Sequence, residues 1–289
     1  MKLHSSILAL ALLSSAACSG GGGTKPSGTN GVTGTLQIVC TDSPFDYSLV
    51  SRASIDVVKI RAHRDENAQS GFVTLYDGAP MTVPLDQLRN GILQTLASGL
   101  LQAGTYSQIR LHLSSARLEL VNGNVYSTAD GTLKFTNQST SGYKITLDPP
   151  VAVPPGGVAR VLLDIDLTKT FVPIPANDPA NAREYILRPN VRAAVLGLAG
   201  ELRATVLASD GQGGLVGVPG ASVYLLFPGE TDPANSVAST ATDPDGSAAI
   251  LGIVPGSYDV LAIEGGRSAR EDAVSIPAGG PTSVEIVLP

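Results

Sequence analysis

Apolar and polar residues alternate along Leu100–Leu113, LLQAGTYSQIRLHL. After a Gly-led turn at Ala103-Gly104-Thr105, Ile109, Leu111 and Leu113 fall on one face and Gln108, Arg110 and His112 on the other. That is the period of a half-buried β-strand. The same order of turn glycine, tyrosine and alternating strand returns as Val254-Pro-Gly-Ser-Tyr-Asp-Val260. The repetition, once in each half of the chain, predicts two β-sandwich modules in tandem. Tyr106 and Tyr258 are expected to be structural corners, each ring covering a sandwich end while its hydroxyl reaches a backbone group.

Gly34–Thr41 reads as the first strand. Ser54–Ala62 is the second, with Val58, Ile60 and Ala62 in phase, and Gly71–Tyr76 the third. Between the last two, Arg64–Ser70 is polar and reads as a loop. Residues 85–97 carry the helical pattern of the chain: Leu85, Leu88, Ile92 and Leu96 recur at helical spacing behind Pro84, interrupted by Asn90-Gly91. One or two short helices are expected there. Ala116, Leu118 and Leu120 alternate next, and Asn122-Gly123 predicts a type I′ hairpin turn. Asp130-Gly131 predicts a second turn, into Thr132–Thr136. Tyr143–Leu147 and Val158–Leu167 read as strands around a Pro-rich loop, Asp148–Gly157. Pro173–Asn181 is expected to be a loop, and Tyr185–Leu198 to close the module as a strand or strand pair. Ala199-Gly200 marks the boundary, giving modules at 34–198 and 199–289. In the second, Glu201–Ala208 and Thr282–Leu288 are the clearest strands.

Composition supports an all-β reading: 32 Gly, 20 Pro, no Trp and 15% charged residues in 289. The formal charge is -6, and the sequence shows no basic stripe, so nucleic acid is not expected as a partner. At the N-terminus, Lys2 and His4 precede an apolar run, Ile7–Leu13, too short to span a bilayer at roughly 20 residues. Ser14-Ser-Ala-Ala17 and Cys18 follow. This resembles a bacterial lipobox, although Ser15 stands where such signals favour Leu. The resemblance implies a signal peptide at 1–17 and acylation of Cys18, which would tie the protein to membrane lipid in the cell envelope. Ser19-Gly-Gly-Gly-Gly23 begins a flexible tether over 18–33. Ser19 in place of Asp favours the outer membrane if the cell is Gram-negative. With Cys18 acylated, Cys40 has no disulfide partner and reads as a small buried hydrophobe in phase with Leu36 and Ile38.

Chemistry is sparse. Asp164 and Asp166 share a strand face, and with Asp42 they are candidates for Ca²⁺, an ion that takes six to eight oxygens. The preferred alternative is that they face solvent or pair with Arg110 and Arg117 across the sheet. Asp243-Pro-Asp245-Gly246 looks like the start of a calcium loop but lacks the later ligands, and reads as a turn. A hydrolytic site assembled in space from Ser114, His112 and Asp164 has no elbow or oxyanion motif beside it, and zinc and common nucleophile signatures are absent. No cofactor and no catalytic activity are expected. A glycan surface would need exposed aromatic rings, for which Tyr47, Tyr76 and Tyr143 are the candidates. A protein partner in the envelope and a purely structural spacer are the other readings.

Gly34-Thr-Leu with Thr41-Asp-Ser-Pro44, Ala103–Leu111, Leu162-Leu-Asp-Ile-Asp166 and Tyr185-Ile-Leu-Arg-Pro189 come in order with suitable spacing. As a set they resemble the domain of unknown function 4382, found in bacterial lipoproteins, over roughly 34–195. That resemblance implies an envelope context and no established activity. Val218–Leu225, Asp243-Pro-Asp-Gly246 and Gly252–Tyr258 resemble the carboxypeptidase regulatory-like (prealbumin-like) module, often grouped with carbohydrate-binding-like folds. Ala248 stands where that family usually has an aromatic, which implies a lightly filled core on that strand.

Overall fold

The alternation of Leu100–Leu113 becomes a corner between two sheets. β4 (Gln94–Gln102) ends at Gln102, and β5 (Gly104–Leu120) starts two residues later in the opposite sheet. Ile109, Leu111 and Leu113 point into the core, as their phase requires. The structure is a computed structural model describing residues 32–43, 49–64, 71–136 and 141–289. Cys18, Tyr47 and the stretch 65–70 expected to be a loop lie outside the described residues, as do the expected signal peptide and nearly all of the expected tether.

The other strands of the first half are β1 (Thr33–Ser43), β2 (Val50–Arg64), β3 (Phe72–Pro84), β6 (Val125–Ser127) and β7 (Leu133–Phe135). Then come β8 (Tyr143–Val153), β9 (Val158–Asp166), the one-turn helix α1 (Leu167–Thr170), β10 (Phe171–Ile174), β11 (Glu184–Leu187) and β12 (Val191–Val195). One sheet runs β12-β9-β1-β4, and the facing one β3-β2-β5-β6 with β8 also on β5. A small third sheet, β10-β11-β7, completes this half. Leu36, Ile38 and Cys40 of β1 and Val161, Leu163 and Ile165 of β9 meet Ile55, Val57 and Ile60 of β2 and Ile109 and Leu111 of β5. Cys40 is fully buried in this core.

The second half has its own core. Its strands are β13 (Gly200–Ser209), β14 (Leu215–Gly217), β15 (Ser222–Leu226) and β16 (Ala238–Ala241), then β17 (Ser247–Ile253), β18 (Gly256–Glu264), β19 (Arg267–Ile276) and β20 (Pro281–Leu288). They form one sheet of β14-β13-β17 with β20 on β13, and another of β16-β15-β18-β19. The chain is all-β, with two sandwich cores, as its patterning predicts.

Four local expectations are corrected. The helical spacing of 85–97 yields one 3-10 turn, Leu85–Gln87, and then β4. Leu85, Leu88 and Leu96 are buried, but Ile92 is 55% exposed, so the run has no continuous helical face. Asn90 (φ 53) and Gly91 (φ 79) both take left-handed conformations and make a tight turn instead, closed by a hydrogen bond from the Ile92 amide to the Arg89 carbonyl. In β2, Val57 is buried and Val58 half-exposed, because a β-bulge between Val57 and Lys59 moves the phase by one residue. β8 continues past Leu147 to Val153, through the stretch read as a Pro-rich loop. At Asn122-Gly123 only Gly123 has positive φ, and the Leu120 amide bonds the Asn124 carbonyl. The turn is therefore a three-residue one, not type I′.

Candidate functional site

β9 is the most hydrophobic strand of the first half because both of its faces are covered. Val161, Leu163 and Ile165 face the core, while Leu162 is 1% exposed and belongs to neither core. Its cover is the second half: β1 lies against β16 and β12 against β17. Gly252 sits at this contact with φ 68, and a Cβ there would come within 2.7 Å of a Leu162 side-chain carbon and 3.0 Å of Ala194 Cβ. Only glycine suits both the conformation and the close approach.

Asp164 lies in this joint, 4% exposed. Arg192, opposite it on β12, donates to its Oδ2 from Nη2 at 2.6 Å and from Nε at 3.1 Å. The same guanidinium donates to the carbonyls of Leu251 and Gly252 on β17. One fork thus neutralises a buried carboxylate and satisfies two carbonyls across the joint. Beside it, Asn90 Oδ1 accepts from the Thr240 hydroxyl at 2.8 Å. The expected partners of Asp164, Arg110 and Arg117, lie elsewhere: Arg110 donates to the Ser141 carbonyl and Arg117 pairs with Glu119.

Asp166 is also committed. It caps α1 through the Lys169 amide, accepts from Thr168 Oγ1 and pairs with Lys169 Nζ at 3.1 Å. The backbone of Asp42 runs beside these residues, in parallel register with Ile165. Among the described residues, no group of three or more His, Cys, Asp or Glu side chains converges to hold a metal. Asp243–Gly246 is a turn, closed by the Gly246 amide on the Asp243 carbonyl. It carries the chain from β16 to β17 and so from one sheet to the other.

Ser114, His112 and Asp164 do not come together as a triad. Ser114 and His112 are on β5 and Asp164 is on β9 in the facing sheet, held by Arg192. Of the tyrosine candidates, the two among the described residues give no glycan platform either. Tyr143 is buried and Tyr76 half-buried, its hydroxyl bonded to the Ala79 carbonyl. Tyr106 and Tyr258 are buried, and their hydroxyls donate to the carbonyls of Gln102 at 2.9 Å and Val254 at 2.7 Å. Each bond spans four residues back across a sheet-to-sheet corner.

The sequence reading missed one cluster. The outward residues of β2 and β5 are Lys59, Arg61 and His63, and Gln108, Arg110 and His112. Register places Lys59 opposite His112, Arg61 opposite Arg110, and Lys144 of β8 on the far side of Arg110. Arg61 and Arg110 both lie over the Phe72 ring, 4.6 and 5.4 Å from its centroid. Lys59 pairs with Asp77 at 2.7 Å. Arg61, Arg110 and Lys144 have no carboxylate partner among the described residues, and the Nε atoms of both arginines are buried without a hydrogen bond. Periodicity showed that these positions face outward, but cross-strand register alone makes them one patch.

Burial, then the charges of Lys59, Arg61 and Arg110, hold the His112 imidazole below its ordinary pKa of 6.5, with Asp77 opposing. The unfolded chain therefore binds this proton more readily. The associated stability is present above pH 6.5 and lost as pH falls from there through the lower folded-state value. Denaturant unfolding at about pH 7.5 and about pH 5.5, a window in which ordinary carboxylates stay ionised, should show a smaller loss in His112→Gln than in the parent. Equal losses would remove His112 as the cause.

The fold and these contacts define an all-β protein of two joined sandwiches. Residues 33–189 match the family described as Domain of unknown function (DUF4382), and the chain belongs to it. No curated protein sequence matches. Among solved structures, the minor pilin GBS52 of Streptococcus agalactiae is similar at 12% identity and TM-score 0.25, over 88% of this chain and 95% of that one. A shaft pilin SpaA variant of Lactobacillus rhamnosus GG gives 11% and 0.23, over 89% and 98%. A fimbrial protein of Bacteroides ovatus gives 8% and 0.25, over 89% and 49%. TM-scores of this size carry no inference about function. No helix among the described residues is long and apolar enough to cross a membrane.

Proposed function

We propose that this protein is a non-catalytic, lipid-anchored component of the bacterial cell envelope that binds a partner through the faces of its sandwiches. The observation that carries the non-catalytic part is the Arg192–Asp164 pair. The best chemical candidate in the sequence is used to join the two halves, and Asp166 to cap a helix. The lipobox-like Ala16-Ala17-Cys18 and the Gly-rich stretch after it support the anchor, with membrane lipid as the first partner. The carboxypeptidase regulatory-like motifs of 199–289 support an accessory module.

The spacer reading has an observation of its own. The Arg192 fork and the Asn90–Thr240 bond tie the halves at two places, which suits a stiff block that holds something off a membrane. Anchoring is tested by detergent-phase partitioning of the full chain and of Cys18→Ala. The variant should stay in the aqueous phase or remain unprocessed. Normal cleavage with unchanged partitioning would defeat the anchor.

A further inference from the structure

We infer that the outer face of the β3-β2-β5-β8 sheet docks an acidic polysaccharide, with Arg61, Arg110 and Lys144 as its carboxylate-binding row. The choice of a polysaccharide rests on the envelope reading above. The row itself rests on geometry.

Three cations on three neighbouring strands stand side by side, at a strand spacing of about 4.8 Å. Like charges directly opposite each other in a sheet are destabilising. Here they recur without a carboxylate among the described residues to offset them, on a chain whose net charge is -6. Both guanidiniums lie over the Phe72 ring, a stacking that orients these planar groups; Arg110 Nη1 is used on the Ser141 carbonyl, which leaves its Nη2 and the Nη groups of Arg61 for a carboxylate. A row of like charges that no carboxylate among the described residues offsets is accounted for by an anionic ligand.

Other macromolecules fit less well. Arg61 and Arg110 stand on β2 and β5, interior strands with pairing partners on both sides, so an acidic peptide has no free edge beside either arginine to extend. Among the described residues none of the exposed large hydrophobic side chains is on β3, β2, β5 or β8, whereas a protein interface needs an apolar centre with aromatic anchors. The aromatic ring present is already occupied by arginine. Long nucleic acid would meet three cations on an otherwise acidic body, which repels polyphosphate. A hydrated polymer with a carboxylate on each sugar needs neither an edge nor an apolar centre.

The test uses the full chain in detergent, with polygalacturonate as the probe and neutral dextran, polyglutamate and duplex DNA beside it. Polygalacturonate should bind more tightly than the other three, and added salt should weaken it. Arg61→Gln/Arg110→Gln should weaken it about tenfold or more, the loss of at least one charge-assisted pair, while Arg203→Gln in the second half should not. The unfolding midpoint of the double variant should not fall, because a repulsion has been removed. Equal affinity of the double variant and the parent would overturn the site. Tighter binding of polyglutamate or DNA, or binding no better than dextran, would overturn the polysaccharide. Cys18→Ala should keep the binding and lose the membrane, so failure of the anchor and failure of the patch appear in different measurements.

Discussion

Arg192→Ala is expected to destabilise the protein by about 3 kcal/mol, because it removes the cation paired with a buried carboxylate. Asp164 keeps 5% of its side chain exposed and Arg192 25%, so the lower end of the range for breaking buried pairs applies. The Leu251 and Gly252 carbonyls lose a donor at the same time. Two outcomes should therefore appear together in calorimetry: a lower midpoint, and separation of one transition into two as the halves uncouple. Asp164→Leu/Arg192→Met should lose less than Arg192→Ala, since it removes the buried carboxylate together with its paired cation. An unchanged midpoint with a single transition in Arg192→Ala would mean that the fork does not hold the joint. A fragment of 199–289 is expected to fold on its own core and to be less stable than the same residues in the full chain.

Tyr106→Ala and Tyr258→Ala are each expected to cost about 3–5 kcal/mol, the range for removing a large buried side chain. Tyr106 is fully buried and Tyr258 is 4% exposed, so neither site can refill with water without exposing a core. Tyr→Phe should cost about 1 kcal/mol at either position, through the carbonyl of Gln102 or Val254 that loses its donor. Denaturant unfolding of the four variants checks this. Changes within about 0.5 kcal/mol, as at ordinary surface sites, would show that the corners do not hold the sheets together.

The two tyrosine corners were legible because everything they need is local: a turn, a ring two residues after the glycine, and a carbonyl four residues back. The strands of alternating residues were legible for the same reason, and so was the burial of Cys40 in phase with its neighbours. Where the spacing of Leu85, Leu88, Ile92 and Leu96 fitted a helix, β-pairing of Gln94–Gln102 with β1 outweighed a short and interrupted periodicity. The bulge at Val58 was not legible, since one extra residue changes phase without changing composition.

By itself the sequence determined an all-β chain with two cores and its corners. Tertiary structure alone decided what its charges do. Asp164 and Arg192 are 28 residues apart and meet because β9 and β12 are neighbours in one sheet. Arg61, Arg110 and Lys144 become one row only through the register of three strands. Alternation along a strand states which side a residue faces. The residue that stands beside it across the ladder is chosen by pairing, and pairing is settled by burying both sheets at once.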